Sequence, residues 1–338
     1  MNGLLFIDDE EGVRRSIKRA LKREPYDIFT AANGDDGLTL IRAKLNQIGT
    51  VISDYRMPGL DGLETLQRIG SLNPEITRII LTGYATMEAA IDATNTGIDG
   101  FLTKPFDNIE LRAKIHEIAI RKHLRQFVPE QIYHEIKACS GTLAPRIQKA
   151  TILFSDIRGF TRMSQGVDPE VLVNFLNHHY FTPMGEIAYK YNGTVDKHMG
   201  DGMMVVFGTP VVHTDDAKRA VLAAIEMQQQ AREINALLKQ QNGLRLRTGI
   251  GISTGMVFSG VLGSLRKKEF SSIGEAVNIA ARLQGLAQGG EIIISAVTHQ
   301  YIDGAIKSDA LDPVQVKGID APICIYRVDS FDNQDAVQ

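Results

Sequence analysis

Short apolar runs alternate with amphipathic segments through the first 105 residues, and this alternation limits the possible folds more than any other feature. Apolar runs predict strands at residues 3–7, 26–31, 51–53, 76–81 and 100–103. Apolar residues at helical spacing predict helices at residues 13–22, 35–45, 63–69 and 87–94. Strands that alternate with helices in this way predict an α/β domain, in which a parallel sheet carries helices on both faces.

Polar residues follow the ends of these predicted strands. Asp8 and Asp9 follow the first strand, Asp54 the third, Thr82 the fourth and Lys104 the fifth. In an open parallel sheet the carboxyl ends of the strands form the binding edge. Carboxylates gathered there would repel one another unless a cation lay between them, and hard oxygen ligands suit Mg²⁺. A carboxylate beside Mg²⁺ can attack phosphorus, and a nearby lysine offsets the charge of a bound phosphoryl group.

Residues 1–120 resemble the receiver domain of bacterial response regulators. The matching residues are Asp8-Asp9, Asp54 ahead of Met57-Pro58, Thr82, and Lys104-Pro105-Phe106. The resemblance implies a flavodoxin-like domain with five parallel strands, a cis peptide before Pro105, and phosphorylation of Asp54 by a sensor histidine kinase. It implies the Mg²⁺ ligands Asp9, Asp54 and the carbonyl of Arg56, supported by Asp8, and the phosphoryl-responsive residues Thr82, Phe101 and Lys104. The alternative is a flavodoxin-like domain that has lost phosphorylation.

A connector, residues 121–147, follows this domain. Helical spacing continues over residues 107–127, and a second short helix is predicted at 129–139 before Gly and Pro residues interrupt the pattern. The first helix is longer than the domain needs, so we expect its basic end, residues 121–125, to project and pair with a partner chain. The connector is either a solvated linker or a rigid arm that transmits the state of the first domain.

Residues 148–330 form a second predicted domain with a different pattern of elements. The sequence predicts strands at 150–155, 203–207, 244–253, 256–262, 291–295 and 324–328, and helices at 169–191, 215–238 and 275–286. Asp156 ends the first strand, and Asp201 lies in a Gly-rich hairpin turn. Two carboxylates so placed are typical of a two-metal site for phosphoryl transfer. Asn278 and Arg282, four residues apart, share one helix face and suit a ribose and a charged phosphorus centre.

The second domain resembles class III adenylate and guanylate cyclases. The matching motifs are residues 154–161, residues 197–201 and residues 274–282. The resemblance implies an α+β, ferredoxin-like catalytic domain, in which the ribose 3′-hydroxyl attacks the α-phosphate of a nucleotide and pyrophosphate leaves. It implies two Mg²⁺ or Mn²⁺ ions in each site, the metal ligands Asp156, Ile157 and Asp201, the catalytic residues Asn278 and Arg282, and the substrate-binding residues Phe160, Thr161 and Lys317.

Two further positions bear on the choice of base. Lys197 stands where, by the resemblance, adenylate cyclases have lysine and guanylate cyclases have glutamate. A lysine only donates hydrogen bonds, which suits the acceptor N1 of adenine. By the resemblance, Ser271 stands where adenylate cyclases usually have aspartate or threonine and guanylate cyclases have cysteine. Serine can still accept a hydrogen bond from the adenine amino group, so the pair favours ATP, although the preference need not be strict. We therefore expect an adenylate cyclase that converts ATP to cyclic AMP and pyrophosphate and is controlled by phosphorylation at Asp54. The alternatives are a guanylate cyclase and a catalytically weak nucleotide-binding signalling module.

Composition bears on partners and location. The formal net charge is −3, with no basic block, which argues against a nucleic-acid partner. No apolar stretch is long enough for a transmembrane helix or a signal peptide, so we expect a cytoplasmic protein that does not bind membranes. By the resemblance, the metal aspartates come from one subunit and Lys197, Ser271, Asn278 and Arg282 from the other. We therefore expect a homodimer with shared active sites.

Overall fold

The structure is a computed structural model that describes residues 3–22, 24–83, 97–125, 127–138, 143–239, 244–264, 267–302, 304, 306–315 and 321–329. The chain divides into two compact units, Met1–Phe127 and Val128–Gln338. Each unit has its own sheet and its own apolar clusters. The predicted connector is shared between the units, because the division falls inside it. No helix among the described residues is both long and apolar enough to cross a membrane.

The first unit is a parallel α/β sheet in the order β2-β1-β3-β4-β5. Its strands are β1 Gly3–Ile7, β2 Asp27–Ala31, β3 Ile48–Asp54, β4 Thr77–Thr82 and β5 Gly100–Thr103. Its described helices are α1 Glu11–Ala20, α2 Gly34–Ala43, α3 Gly62–Leu72 and α4 Asn108–Arg125. The five predicted strands and the parallel α/β class are confirmed. The helix predicted at 87–94 lies outside the described residues.

The strand β1 shows why this sheet is covered on both faces. Successive residues of a strand point to opposite faces. Leu4 and Phe6 pack in an apolar cluster with α1 and α4, whereas Leu5 and Ile7 pack in a second cluster with α2 and α3. Both faces of the strand are therefore apolar, and the polar residues Asp8 and Asp9 follow it at its carboxyl end.

The basic end of α4 binds its own unit. Lys122 Nζ donates to the carbonyl oxygens of Pro74 at 2.8 Å and Ile76 at 2.6 Å, and to Asp99 Oδ2 at 2.9 Å. Arg121 Nη2 donates to the carbonyl oxygen of Asp99 at 2.8 Å. The prediction that residues 121–125 project away is therefore wrong for these two side chains. Their hydrogen bonds to three backbone carbonyls and one carboxylate keep them on the surface of the first unit.

The second unit contains a mixed sheet in the order β12-β13-β11-β9-β6-β8-β7, with β10 paired to β9. Its strands are β6 Arg146–Ile157, β7 Thr194–Met199, β8 Gly202–Phe207, β9 Thr248–Gly263, β10 Lys268–Ile273, β11 Ile292–Ser295, β12 Ser308–Val314 and β13 Ile323–Val328. Its described helices are α5 Glu130–Ala138, α6 Phe160–Met163, α7 Pro169–Leu176, α8 Thr182–Lys190, α9 Asp216–Lys239, α10 Glu275–Leu286 and α11 Ala296–Ile302. The α+β class is confirmed.

Helices cover both faces of this sheet. Leu153, Val205 and Ile252 pack on one side against α7, α8 and α9. Ile152 and Phe154 point the other way and pack against α10. The strand β6 lies between β8 and β9, antiparallel to both, so its carboxyl end is held on two sides.

Several boundaries in the second unit differ from the predictions. The two strands predicted at 244–253 and 256–262 form one strand, β9, that runs through Gly255. A Cβ at Gly255 would lie 3.0 Å from the Cβ of Ala276, so this glycine allows a helix to approach rather than making a turn. The helix predicted at 169–191 is interrupted by a π-helical turn, Asn177–Phe181. The strands β10 and β12 and the helix α11 were not predicted.

Candidate functional site

In the first unit, two predicted acids meet one predicted lysine at the carboxyl edge of the sheet. Lys104 Nζ lies 2.6 Å from Asp54 Oδ1 and 3.0 Å from Asp8 Oδ2. Burial and the charge of Asp54 raise the pKa of Asp8, against the opposing effect of Lys104. Although burial disfavours its charge, hydrogen bonds to Asp54 and Asp8 raise the pKa of Lys104. Two carboxylates share one ammonium here, so the site keeps an excess of negative charge.

The backbone around this cluster fixes the two acids. Asp54 Oδ2 accepts a hydrogen bond from the Arg56 N–H at 3.2 Å, and Asp8 Oδ1 accepts one from Glu10 at 2.9 Å. Asp9 is exposed. Its carbonyl oxygen accepts a hydrogen bond from Arg14 Nη1 at 2.9 Å.

The remaining predicted residues of this unit lie on the last two strands. Thr82 ends β4, and Phe101 lies in β5 with 46% of its surface exposed. The peptide bond between Lys104 and Pro105 is cis, as predicted. The oxygen-rich, negatively charged edge around Asp54 and Asp8 fits Mg²⁺, which is bound by carboxylates, carbonyl groups and water.

In the second unit, Asp156 and Asp201 face each other across a strand end and a turn. Asp156 lies opposite Gly202 in the pairing of β6 with β8. The N–H of Ile157 donates to the carbonyl oxygen of Asp201 at 3.3 Å. Gly200 has φ of 64°, which a glycine adopts without strain in this tight turn. The predicted metal ligands Asp156, Ile157 and Asp201 are thus neighbours.

The pair of aspartates carries more negative than positive charge. Burial and the charge of Asp201 raise the pKa of Asp156. The guanidinium of Arg158 opposes this rise, with Nη1 3.7 Å from Asp156 Oδ1. Two acids that share one partly engaged guanidinium fit a divalent cation, since a cation would balance the remaining charge.

The loop after Asp156 turns back on itself. Gly159 has φ of 75° and precedes the short helix α6, which begins at Phe160 and contains Thr161. Phe160 packs at the edge of the main apolar cluster. These residues therefore lie directly beside the aspartate pair in the chain, where the resemblance requires them.

Asn278 and Arg282 lie one turn apart on α10, and both are exposed. The opposite face of this helix is buried through Ala276, Ala280 and Leu283. Among the described residues, no hydrogen bond or ion pair joins Asn278 or Arg282 to the aspartate pair. Lys317 lies outside the described residues.

Lys197 and Ser271 are brought together by two acids that the sequence analysis missed. Ser271 Oγ donates to Asp196 Oδ2 at 2.9 Å, and Lys197 Nζ lies 3.5 Å from the same oxygen. Lys197 Nζ also donates to Glu269 Oε1 at 3.1 Å. A strict alternation along β7 would place Asp196 and Lys197 on opposite faces, so the sequence pattern gave no signal for this cluster.

The π-helical turn supports both strands of the site. The buried Tyr180 donates from its hydroxyl to Ser155 Oγ at 2.9 Å, directly before Asp156. The ring centroid of Phe181 lies 4.3 Å from that of His198, directly after Lys197. Burial lowers the pKa of His198. Tyr180 and Phe181 were not predicted, because the sequence pattern there is that of a regular helix; π-helical turns are nevertheless frequent at functional sites.

Comparisons with known proteins agree with this geometry. An adenylate cyclase from Anabaena cylindrica is 36% identical over 196 residues, which are 55% of this chain and 38% of that protein. The crystal structure of the adenylyl cyclase CyaB from P. aeruginosa is 36% identical with a TM-score of 0.53, covering 55% of this chain and 96% of that chain. The crystal structure of the guanylyl cyclase Cya2 is 38% identical with a TM-score of 0.53, covering 55% and 94%.

These relatives leave the base unassigned, because adenylyl and guanylyl cyclases match the second unit equally well in fold. The chain spans less than two fifths of the length of the Anabaena protein. Residues 4–116 match the response regulator receiver domain, and residues 143–329 match the adenylate and guanylate cyclase catalytic domain. The chain therefore belongs to the adenylate and guanylate cyclase family, and it carries a response regulator receiver domain ahead of a class III cyclase domain.

Proposed function

We propose that the chain is an adenylate cyclase that converts ATP to cyclic AMP and pyrophosphate under the control of its receiver domain. The choice of ATP is carried by Lys197, whose ammonium lies at the end of a cluster with Asp196, Ser271 and Glu269. An ammonium donates hydrogen bonds only, so it suits the acceptor N1 of adenine and opposes the N–H at this position in guanine. Since ATP is a cytoplasmic substrate, we place the reaction in the cytoplasm.

The reaction is an intramolecular phosphoryl transfer. The ribose 3′-oxygen forms a bond to the α-phosphorus, the bond from that phosphorus to the bridging oxygen breaks, and pyrophosphate leaves. The proton of the 3′-hydroxyl passes to solvent, because no general base is evident among the described site residues. Such transfers depend mainly on positioning and electrostatic stabilisation.

Each residue of the site has one task in this mechanism. Asp156 and Asp201, with the carbonyl of Ile157, would hold two Mg²⁺ or Mn²⁺ ions, which when bound would activate the attacking oxygen and balance the phosphate charge. Asn278 orients the ribose, and Arg282 stabilises the charge that builds on the phosphorus centre. Backbone groups at Phe160 and Thr161 face the phosphates, and Lys317 is a further phosphate contact.

We place the complete site between two copies of the chain. In the described part of one chain, Asn278 and Arg282 are exposed and unconnected to the aspartate pair. An exposed apolar patch ends two residues before the helix α10 that carries them. Ile147, Phe258 and Ile273 are cross-strand neighbours on β6, β9 and β10, and they are 74%, 37% and 56% exposed. Such a patch is typical of a protein interface.

Mixing two inactive variants tests the shared site. Asp156→Ala and Arg282→Ala should each be inactive alone. Equal mixing of the two should restore about a quarter of wild-type activity, because half of the dimers would be mixed and each would hold one intact site. If the mixture stays inactive while both variants form dimers, the shared site is excluded.

Control by the receiver rests on Asp54. We propose that a sensor histidine kinase phosphorylates Asp54 at its contact with Lys104, with Mg²⁺ held by Asp9, Asp54 and the carbonyl of Arg56. The test is cyclase activity with and without acetyl phosphate, in the wild type and in Asp54→Asn. Equal rates under all four conditions would exclude control by phosphorylation and leave the catalytic proposal unchanged.

A guanylate cyclase is the second candidate, favoured by the likeness to the guanylyl cyclase Cya2. Comparing the rates of cyclic AMP and cyclic GMP formation separates the two functions, and faster cyclic GMP formation would reject the first. A third candidate is a catalytically weak module that binds nucleotide. It would form neither product with Mg²⁺ or Mn²⁺.

A further inference from the structure

The strand β7 contains one extra residue directly before Lys197. Val195 pairs with Val205 and Lys197 pairs with Met204, so two steps along β7 match one step along β8. The extra residue is Asp196. A bulge of this kind re-aims a side chain, and bulges are frequent next to active sites. Here the bulge allows Asp196 and Lys197, which are consecutive, to face the same cluster.

The cluster connects two hairpins that do not pair with each other. Asp196 and Lys197 belong to the β7–β8 hairpin, whereas Ser271 and Glu269 belong to β10, which pairs with β9. The carboxylate of Asp196 lies between them. Its Oδ2 accepts a hydrogen bond from Ser271 and lies 3.5 Å from the ammonium of Lys197. Asp196 is therefore the residue that connects Lys197 to Ser271.

The hydrogen bond has a defined direction. An ionised carboxylate only accepts, so the single hydrogen of the Ser271 hydroxyl points at Asp196. Burial raises the pKa of Asp196, and the hydrogen bond from Ser271 and the charge of Lys197 oppose that rise and favour the ionised form. The side chain of Asp196 is 3% exposed, and water cannot readily replace the hydroxyl.

This direction determines what Ser271 can offer to a nucleotide base. With its hydrogen engaged by Asp196, the hydroxyl oxygen presents only lone pairs. Adenine carries a donor amino group at its 6-position, whereas guanine carries an acceptor oxygen there. Turning the hydrogen toward guanine would leave a buried carboxylate oxygen without its partner, which carries the penalty of an unsatisfied buried acceptor.

We propose that Asp196 is a positioning residue that makes Ser271 an acceptor for the 6-amino group of adenine, and so favours ATP over GTP. This inference rests on the proposed adenylate cyclase function and deepens it. A free serine hydroxyl can donate or accept a hydrogen bond, so by itself it would not distinguish adenine from guanine. Asp196 removes the donor option and thereby makes Ser271 selective for adenine.

The test compares kcat/KM for ATP, GTP and purine riboside triphosphate, which lacks the 6-amino group, in the full chain. Wild type should favour ATP over purine riboside triphosphate by about tenfold, the size expected for one lost polar contact. In Asp196→Ala the preference for ATP over GTP should fall by about tenfold. Ser271→Ala should show a similar fall, and the double variant should show no further fall, because both changes remove one interaction.

Three outcomes would overturn the inference. The first is that wild type uses purine riboside triphosphate as well as ATP; this measurement needs no variant, so it decides the question even if Asp196→Ala fails to fold. The second is that Asp196→Ala keeps the wild-type ratio of kcat/KM for ATP to kcat/KM for GTP. The third is that the effects of the two substitutions add. A wild type that prefers GTP or forms no cyclic nucleotide would instead reject the proposed function itself.

Discussion

Arg158 is shared between two sites of negative charge, one at Asp156 and one at the end of α10. Its Nη2 donates to the carbonyl oxygen of Gln284, and its Nη1 lies 3.7 Å from Asp156 Oδ1. Its Nε is buried and has no hydrogen-bond partner among the residues that the structure describes. One divided guanidinium balances the aspartate pair incompletely. Since we propose that this pair binds divalent cations, we expect it to lower the stability of the protein when no cation is present.

This view leads to a prediction for Asp156→Asn. Burial raises the pKa of Asp156 above the ordinary value of an aspartate, so the folded state holds this proton more tightly than the unfolded state. Its contribution to stability then falls as the pH rises above about 4. Without divalent ions at neutral pH, we expect the variant to have a higher Tm than wild type, whereas its cyclase activity should fall at least about 100-fold.

Calorimetry in chelator and in Mn²⁺ checks this prediction. The Tm of the wild type should rise when Mn²⁺ is added, and the Tm of Asp156→Asn should rise much less. Asp309→Asn is the matched control, because Asp309 is a 63% exposed acid on β12. If Asp156→Asn were less stable than wild type in chelator, the idea that excess negative charge at this site lowers stability would be refuted.

Single residues differ in how well the sequence identified them. The sequence predicted Asp156 and Asp201 as a pair, because each stands at an element end that the apolar pattern marks, and the structure makes them neighbours. Asp196 was not identified, because a bulge breaks the alternation that assigns side chains to faces. Glu269 lies on a strand with no clear apolar pattern, so its contact with Lys197 depends on tertiary pairing alone.

At the scale of elements, the helix α10 lies close against β9 because β9 has glycines beneath it. A Cβ at Gly251 would overlap the backbone of Gln284 and Ala280. A Cβ at Gly255 would lie 3.0 Å from Ala276. The helix α10, which carries Asn278 and Arg282, can therefore lie at this distance from β9 only because these two positions of β9 are glycines.

A matched pair of glycine substitutions tests this arrangement. Gly251→Ala should destabilise the second unit by about 2 kcal/mol or more and lower kcat, since the helix must move away from the sheet. Gly285→Ala, on the exposed face of the same helix, meets nothing within 4 Å. It should stabilise by about 0.5–1 kcal/mol, because alanine favours the helix. Urea unfolding and cyclase assays measure both effects, and equal behaviour of the two variants would contradict the packing argument.

The hydroxyl of Tyr180 gives a second prediction at this scale. Its buried hydrogen bond to Ser155 connects the π-helical turn to the strand that ends in Asp156. Tyr180→Phe should cost about 1 kcal/mol of stability. It should lower kcat and leave KM nearly unchanged, because Asp156 is displaced while the residues that contact the base stay in place. Tyr301→Phe is the control, since Tyr301 is 45% exposed. An unchanged kcat in Tyr180→Phe would show that the turn does not position Asp156.

Helices and strands whose apolar residues recur at regular spacing were predicted well. Elements whose boundaries depend on tertiary contacts were not. The strands of the first unit are buried on both faces, so they appear as apolar runs. The division of β9 was predicted wrongly because Gly255 suggests a turn, whereas its role is to admit α10. The strand β12 is largely exposed and has no regular alternation of apolar and polar residues, so the sequence did not predict it.

At the scale of the whole molecule, α4 ends where the chain leaves the first unit, so the proposed signal from the receiver would pass along the chain at this end. Lys122 fixes this end to Pro74, Ile76 and Asp99, and its side chain is 11% exposed. In the second unit, α5 is held by Gln131 Nε2, which donates to the carbonyl of Gly193 at 2.9 Å, directly before β7. Both helices of the connector are thus bound, each to its own unit.

Lys122→Met tests the first of these attachments. We expect basal cyclase activity to stay near wild type and the change on adding acetyl phosphate to shrink, because a released helix end transmits less of the receiver state. Lys114→Met is the matched control: Lys114 lies on the same helix, is 44% exposed and pairs only with Glu117 in the described structure. A wild-type response in Lys122→Met would rule out this attachment as part of the coupling.

The order of domains was predictable from the sequence, because each domain carries its own set of polar residues at element ends. The attachment of Lys122 was not, since a basic run at a helix end usually faces solvent. Its partners are two backbone carbonyls and Asp99, and backbone carbonyls leave no mark in a sequence.

The π-helical turn holds one residue more than the α-helices on either side of it need. A wide turn of five residues advances by about as much as an α-helical turn of four, since its hydrogen bonds span one residue more. Deleting one residue from Asn177–Phe181 would therefore restore a regular helix and leave α7 and α8 nearly in register. The loss would be local: Tyr180 would no longer reach Ser155, directly before Asp156. The extra residue thus sets the position of side chains within the turn itself, whereas the packing of the two flanking helices does not depend on it.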